Sequence, residues 1–241
     1  MTDNTTNIEN RYFKDLNRRD YIQKAFEIIK DEGTKGISIR RLAKEMGCSS
    51  TCLYRYFKNL DELLFYANMG FLNSYLIDLN RAEKTWKNVW DQHLGVWECY
   101  TRAAFKYPEA FDMLFFHENS KKLGTAVKEY YNMFPENISV FNNHLRIMLE
   151  NPDFYERDYE MCIQCVKAGK ISEYNAKRMN HMECTLYMGY LKDILLNGIK
   201  ECDIENRVKC FVEDVKDIAE MYADDFKYTE KLFGSSEKER L

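Results

Sequence analysis

Proline and glycine are scarce in this chain of 241 residues, at 3 and 10, and their scarcity removes the punctuation that a strand-and-turn protein depends on. No stretch alternates apolar with polar residues long enough for a convincing strand, so the expected fold is all-α. No apolar run approaches the roughly 20 residues of a membrane span, and no membrane partner is expected. The opening residues, MTDNTTNIEN, lack the basic and then apolar pattern of a signal peptide, which points to the cytoplasm. A Gly-rich phosphate loop, a nucleophile elbow and a metalloprotease helix are all missing; the chain is not expected to be an enzyme, and nothing in it calls for a cofactor. The eight cysteines, in a long chain of this kind, read as reduced and buried small residues rather than a disulfide framework.

Apolar residues make up 45% and charged residues 31% of the sequence, enough to build a core at this length. Charge is distributed unevenly. Residues 1–60 hold 12 basic and 8 acidic side chains, net +4, whereas the whole chain stands at −4 and the remainder therefore at −8. A basic head on an acidic body suggests that a polyanion is touched by the head alone.

Within that head, residues 36–63 read GISIRRLAKEMGCSSTCLYRYFKNLDEL. Ser38 can cap a helix whose apolar side is Ile39, Leu42, Ala43 and Met46, and Gly47 supplies its stop. Ser49 is a second N-cap, and Leu53, Tyr56 and Phe57 give the next helix an inward face. Helix, Gly-containing turn and second helix make the sequence form of a helix-turn-helix. From 33 to 60 there are six basic residues against one acid, and the outward face of the second helix carries Ser50, Thr51, Tyr54 and Arg55. Short polar groups beside one fork-shaped donor suit phosphates and base edges. Ser50, Thr51 and Arg55 are the expected base readers, with Ser38, Arg40, Ser49, Tyr54, Tyr56 and Lys58 on the phosphates.

The residues Ser38-Ile39, Leu42-Ala43, Met46-Gly47-Cys48-Ser49, Leu53-Tyr54-Arg55-Tyr56-Phe57 and Leu63 resemble the DNA-binding domain of the TetR family of bacterial transcription regulators. The likeness covers about the first quarter of the chain and departs from the family pattern twice. Cys48 stands where valine is usual, and Leu60 stands where a lysine usually meets a phosphate. The resemblance implies a homodimeric repressor, released from an inverted-repeat operator of double-stranded DNA by a small apolar or aromatic effector.

Four divisions are expected: a flexible arm over 1–16, a three-helix head over 17–77, a ligand-binding and dimerisation bundle over 78–228 and a flexible tail over 229–241. In the arm region Arg11, Lys14, Arg18 and Arg19 could lie against the DNA backbone or minor groove, although a solvated tail is the plainer reading. A single long helix from Asn59 to about Leu79 is expected to join head and body, followed by helices over 86–106, 109–117, 123–134, 138–150, 153–168, 173–197 and 204–226. In the last of these, Val208, Phe211, Val215 and Ile218 fall at the alternating steps of three and four that a partner helix fills; Met182, Leu186, Tyr190 and Ile194 form a similar stripe on the helix before it. These eight are the expected dimer interface, and burial within one subunit would serve the same pattern.

The middle helices are rich in aromatics, and the expected pocket is lined by Trp97, Tyr100, Phe115, Phe116, His117, Tyr131, Phe141, His144 and Met148. No metal is assigned. An alternative effector chemistry rests on Cys162 and Cys165 at i, i+3 and on His181 and Cys184 at the same spacing one helix later, a set that could hold a metal or act as a thiol switch.

Overall fold

The computed structural model describes residues 16–137 and 143–229. The expected arm and tail lie outside the described residues except at Leu16 and Thr229, as do Phe141 and the side chain of His144. Among the described residues there is no strand, and the chain is a succession of helices.

The head holds α1 (Arg18–Glu32), α2 (Ile39–Glu45) and α3 (Ser50–Tyr54). Asn17 and Asp20 form a reciprocal capping box at the start of α1, and Gly33, at φ 76°, ends it in a conformation that costs other residues a steric penalty. Ser38 Oγ accepts from the Arg41 N–H at 3.2 Å, as its N-cap position requires. Gly47, at φ 64°, makes the turn toward α3.

Asn59 caps α4 (Leu60–Asn68), which runs into one turn of 3-10 helix (Met69–Phe71) and then α5 (Leu72–Ala82). The single connecting helix expected from the sequence is therefore interrupted. The interruption falls where Phe26 of α1 packs onto Gly70, leaving no room for a side chain there.

The body comprises α6 (Val89–Lys106), α7 (Pro108–Phe116), α8 (Leu123–Met133), α9 (Asn143–Glu150), α10 (Phe154–Lys167), α11 (Glu173–Asn197) and α12 (Ile204–Tyr222). Helix α6 lies centrally, against α5, α10 and α12. The last helix stops four residues earlier than expected. Residues 223–229 instead return over α6: the Trp90 Nε1–H donates to the Asp225 carbonyl at 2.9 Å, and Thr229 donates from backbone and hydroxyl to Asp91 at 3.1 and 3.0 Å.

One apolar core runs from the head through α4 and α5 into the body. At its edge, Glu129 of α8 accepts from the Tyr66 hydroxyl at 2.5 Å and pairs with Arg18 at 3.1 Å, while Arg19 donates to the Met133 carbonyl at 2.7 Å and pairs with Glu136. Arg18 and Arg19 thus hold the head on the body, which corrects both sequence readings of them, the solvated tail and the contact with nucleic acid. Both start α1 at a point where α8 supplies the Glu129 carboxylate and the 3-10 turn after it, Pro135–Asn137, supplies that of Glu136.

Candidate functional site

In the head, Leu53 and Phe57 are fully buried and pin the third helix by its inner face. Ser49, Thr51, Tyr54 and Arg55 are left exposed, and Ser50 half-buried. Lys35, Arg40, Lys44, Arg55 and Lys58 are exposed, and none is ion-paired among the described residues. Arg41 differs from these five. Its guanidinium is held by Glu32 at 2.5 Å and Glu45 at 2.8 Å, which braces the head internally and cancels its charge as a contact.

Tyr56 is half-buried, and its hydroxyl donates to the Leu16 carbonyl at 3.2 Å while its ring lies 5.6 Å from that of Tyr21. A tyrosine bonded this way orients the head, so its expected phosphate contact is corrected to a positioning role. Cys48 receives the Tyr21 hydroxyl at 3.7 Å and fills the small apolar site expected of valine. Leu60 packs on the core, and Lys58, two residues earlier, presents its ammonium to solvent.

In the body the expected pocket is a packed aromatic core. Tyr100 meets Phe115 at 5.6 Å and Tyr187 at 5.1 Å, and Phe154 meets Phe116 at 5.1 Å. The residual cavity is about 30 Å³, near the volume of one water. Trp97, Tyr100 and Met148 line it together with Tyr75, Val96, Phe154, Arg157 and Asp158. The buried Trp97 Nε1 and the Tyr131 hydroxyl have no hydrogen-bond partner among the described residues. His117 is not part of this core. It follows the end of α7, is half exposed and bonds Asp112 at 2.8 Å, beside a surface cleft that also takes in Lys58 and Glu62.

Arg157 was not expected here, since it sits in the charged string ERDYE that reads as a solvated face. It is buried, donating from Nη1 to the carbonyls of Leu149 at 2.8 Å and Asn151 at 3.3 Å, with its guanidinium 5.0 Å from the centre of the Phe115 ring. No carboxylate pairs with it among the described residues, and burial lowers its pKa from the usual arginine value.

Beside that cavity lies a second polar group, of which the sequence pointed only to His93, as a titratable residue for orienting a ligand. His93 Nε2 is 3.0 Å from both carboxylate oxygens of Glu183, and the Asn180 amide donates to Asp158 at 2.9 Å. Burial pushes the Asp158 carboxyl up to about 8, with Glu183 adding to the shift. Burial opposes charge on His93, yet the Glu183 carboxylate raises it to about 9. Of the set Cys162, Cys165, His181 and Cys184, the thiols of Cys162 and Cys184 both reach Asp158 Oδ2, at 3.8 and 4.0 Å, but His181 does not join them. His181 falls just past the edge of the buried stripe Asn180, Glu183 and Cys184, faces solvent and stacks on Tyr155 at 5.8 Å. Burial pushes the Cys162 thiol well up and Cys165 up to about 12, the reverse of what a thiol switch needs.

Of the eight expected interface residues, Ile194, Val208, Phe211 and Val215 are buried inside the one chain, against α6 and its neighbours. The seam that they form is filled by the chain's own helices, so they cannot meet a second copy. Met182, Leu186, Tyr190 and Ile218 are half-buried.

Residues 22–67 match the model of the family described as bacterial regulatory proteins, tetR family. An HTH-type transcriptional regulator of Staphylococcus aureus is 33% identical over 67 residues, which are 28% of this chain and 36% of that relative. Among solved structures, a protein of unknown function from Rhodococcus sp. RHA1 is 17% identical with a TM-score of 0.53, covering 86% of this chain and 95% of its own. FadR of Thermus thermophilus, a TetR-family transcriptional repressor solved with lauroyl-CoA, is 10% identical with a TM-score of 0.53, covering 89% and 98%. These two likenesses show the shared fold.

Proposed function

We propose that the chain, whose residues 22–67 match the tetR family of bacterial regulatory proteins, is a homodimeric, sequence-specific DNA-binding transcription regulator. In this reading it is a repressor that leaves an inverted-repeat operator when a small apolar or aromatic effector enters the body. The observation that carries the proposal is the exposed third helix, flanked by five cations with no ion-pair partner among the described residues. Ser50, Thr51 and Arg55 face the base edges; Ser38, Arg40, Ser49, Tyr54 and Lys58 hold the phosphates.

Dimerisation is assigned to the outward sides of α11 and α12. Tyr174, Leu196 and Met221 are each 70% exposed there, an unusual surface position for large apolar side chains. A two-fold pairing would set two reading heads about a helical turn of DNA apart, or a multiple of it. The effector site is the core around Trp97, Tyr100 and Phe115, which must open well beyond about 30 Å³ to admit a ligand. Arg157 supplies a cation for an acidic end of such a ligand.

Selection from a random duplex pool with the full chain, followed by sedimentation of the complex, tests this reading. Enrichment of inverted repeats bound by two chains is expected. Recovery of unenriched sequence, or equal affinity for random duplex, would overturn it.

A further inference from the structure

His93 on α6, Asp158 and Cys162 on α10 and Glu183 on α11 converge at one point in the body, and all four are buried. One ligand-type atom from each lies within 4.8 Å of the other three. Four atoms so spaced all lie within about 3 Å of a common centre, against bonds of about 2.0–2.3 Å to zinc, so each would need to move inward by no more than about 1 Å. Chain order offers no hint of this grouping, because the residues are brought together only by the packing of three helices.

The charge balance gives a second reason. Two carboxylates are removed from water here, and the only cationic group paired with either among the described residues is His93. Asp158 has the Asn180 amide at 2.9 Å and the thiols of Cys162 and Cys184 at 3.8 and 4.0 Å, none of which carries positive charge. Two buried carboxylates beside one imidazolium cannot both stay ionised cheaply, so without a metal one of them keeps its proton, and a dication would take the place of that proton and of the one on His93. A dication beside two carboxylates and a neutral imidazole sums to zero; once Cys162 binds as the thiolate, its proton leaving to solvent, the set carries one net negative charge.

We propose that His93, Asp158, Cys162 and Glu183 form a binding site for one divalent transition-metal ion, zinc by preference. Nitrogen, sulfur and two oxygens suit a borderline metal. Magnesium and calcium, which take oxygen ligands, are disfavoured by the imidazole and the thiol. The site ties α6, α10 and α11 together and adjoins the cavity through Asp158, which belongs to both. It is independent of the DNA-binding reading and is tested without DNA.

The test uses the full chain, stripped with a chelator, desalted and then titrated with zinc against a chromophoric competitor, with elemental analysis of the desalted product. One zinc per chain is expected. Cobalt in its place should give the visible bands of a tetrahedral ion and a thiolate-to-cobalt charge-transfer band in the near ultraviolet. Cys162→Ser should abolish that charge-transfer band, and Glu183→Gln should weaken zinc binding tenfold or more. His181→Ala and Cys165→Ser should change neither. Wild-type protein that retains no zinc and shows no cobalt charge-transfer band would overturn the assignment, as would a band that survives Cys162→Ser. Should Glu183→Gln fail to reach a native circular-dichroism spectrum, the wild-type cobalt spectrum and the near-isosteric serine variant still decide.

Discussion

The ring of Phe26 rests against the backbone of Gly70: a Cβ placed on residue 70 would lie 2.5 Å from Phe26 Cδ2, closer than real side chains approach. Phe26 also meets Phe71 edge-on at 5.0 Å, and Phe71 meets Tyr107 at 4.5 Å. Contact therefore passes from the first helix of the head, through the 3-10 turn, to the junction of α6 and α7. A rearrangement of the body that moved Tyr107 would press on the element that orients the reading helix.

Replacing Gly70 with alanine sets two effects against each other. Alanine gains about 1 kcal/mol of helix propensity, whereas overpacking of a tight contact costs about 1–3 kcal/mol. The 2.5 Å approach cannot be accommodated without moving the ring, so a net loss of about 1–2 kcal/mol is expected in urea unfolding. A variant as stable as the wild type would show that Phe26 turns aside freely.

Arg55→Ala and Lys58→Ala should fail differently on DNA. Loss of Arg55 is expected to cost about 1–3 kcal/mol and relax preference at the bases that it reads; loss of Lys58 should weaken all sequences alike and flatten the salt slope by about one. Competition assays on selected and random duplexes at several salt concentrations separate the two. Identical behaviour of the variants would refute the division of roles.

Glu129→Gln tests the latch between head and body. Its carboxylate accepts from the Tyr66 hydroxyl and pairs with Arg18, and those contacts hold its pKa below the usual glutamate value. The group is nearly half exposed, so solvent screening limits the expected loss to about 0.5–1 kcal/mol. Faster hydrogen exchange at the start of α1, with the rest of the body unchanged, is the accompanying signature.

Arg157→Met removes a buried charge that has no carboxylate partner among the described residues. An apolar residue of similar volume in such a place is often close to neutral for stability, although two carbonyls lose their donor. Binding is the sharper readout. In thermal-shift assays long-chain and aromatic carboxylates should stabilise the wild type more than the matching alcohols do, and the variant should lose that difference. Equal responses to acid and alcohol in the wild type would remove Arg157 from the effector site.

Leu196→Glu and Phe211→Ala distinguish the outward and inward faces of the last two helices. Leu196 is 70% exposed and Phe211 fully buried. The first variant should sediment as a monomer with unchanged helicity, and the second should lose about 3–5 kcal/mol of stability through the cavity that it leaves. A dimeric Leu196→Glu would move the interface elsewhere.

Much of this protein is local and was legible in the sequence. The caps at Ser38 and Asn59, the stops at Gly33 and Gly47 and the inward residues Leu53 and Phe57 depend on neighbours within a turn or two, so the head could be read residue by residue. Helical periodicity also marked which residues of α12 turn inward, at Val208, Phe211 and Val215. It could not say what they turn toward, because a 3.6-residue stripe looks the same whether α6 or a second chain covers it. Only the packing decided that these residues are core, that the aromatic middle closes on itself and that His181 stays outside while His93 meets Glu183 across 90 residues of chain. Arg157 was hidden for the same reason. Whether a charged side chain points to water or into a core is set by helices distant in sequence, and no local pattern carries that information.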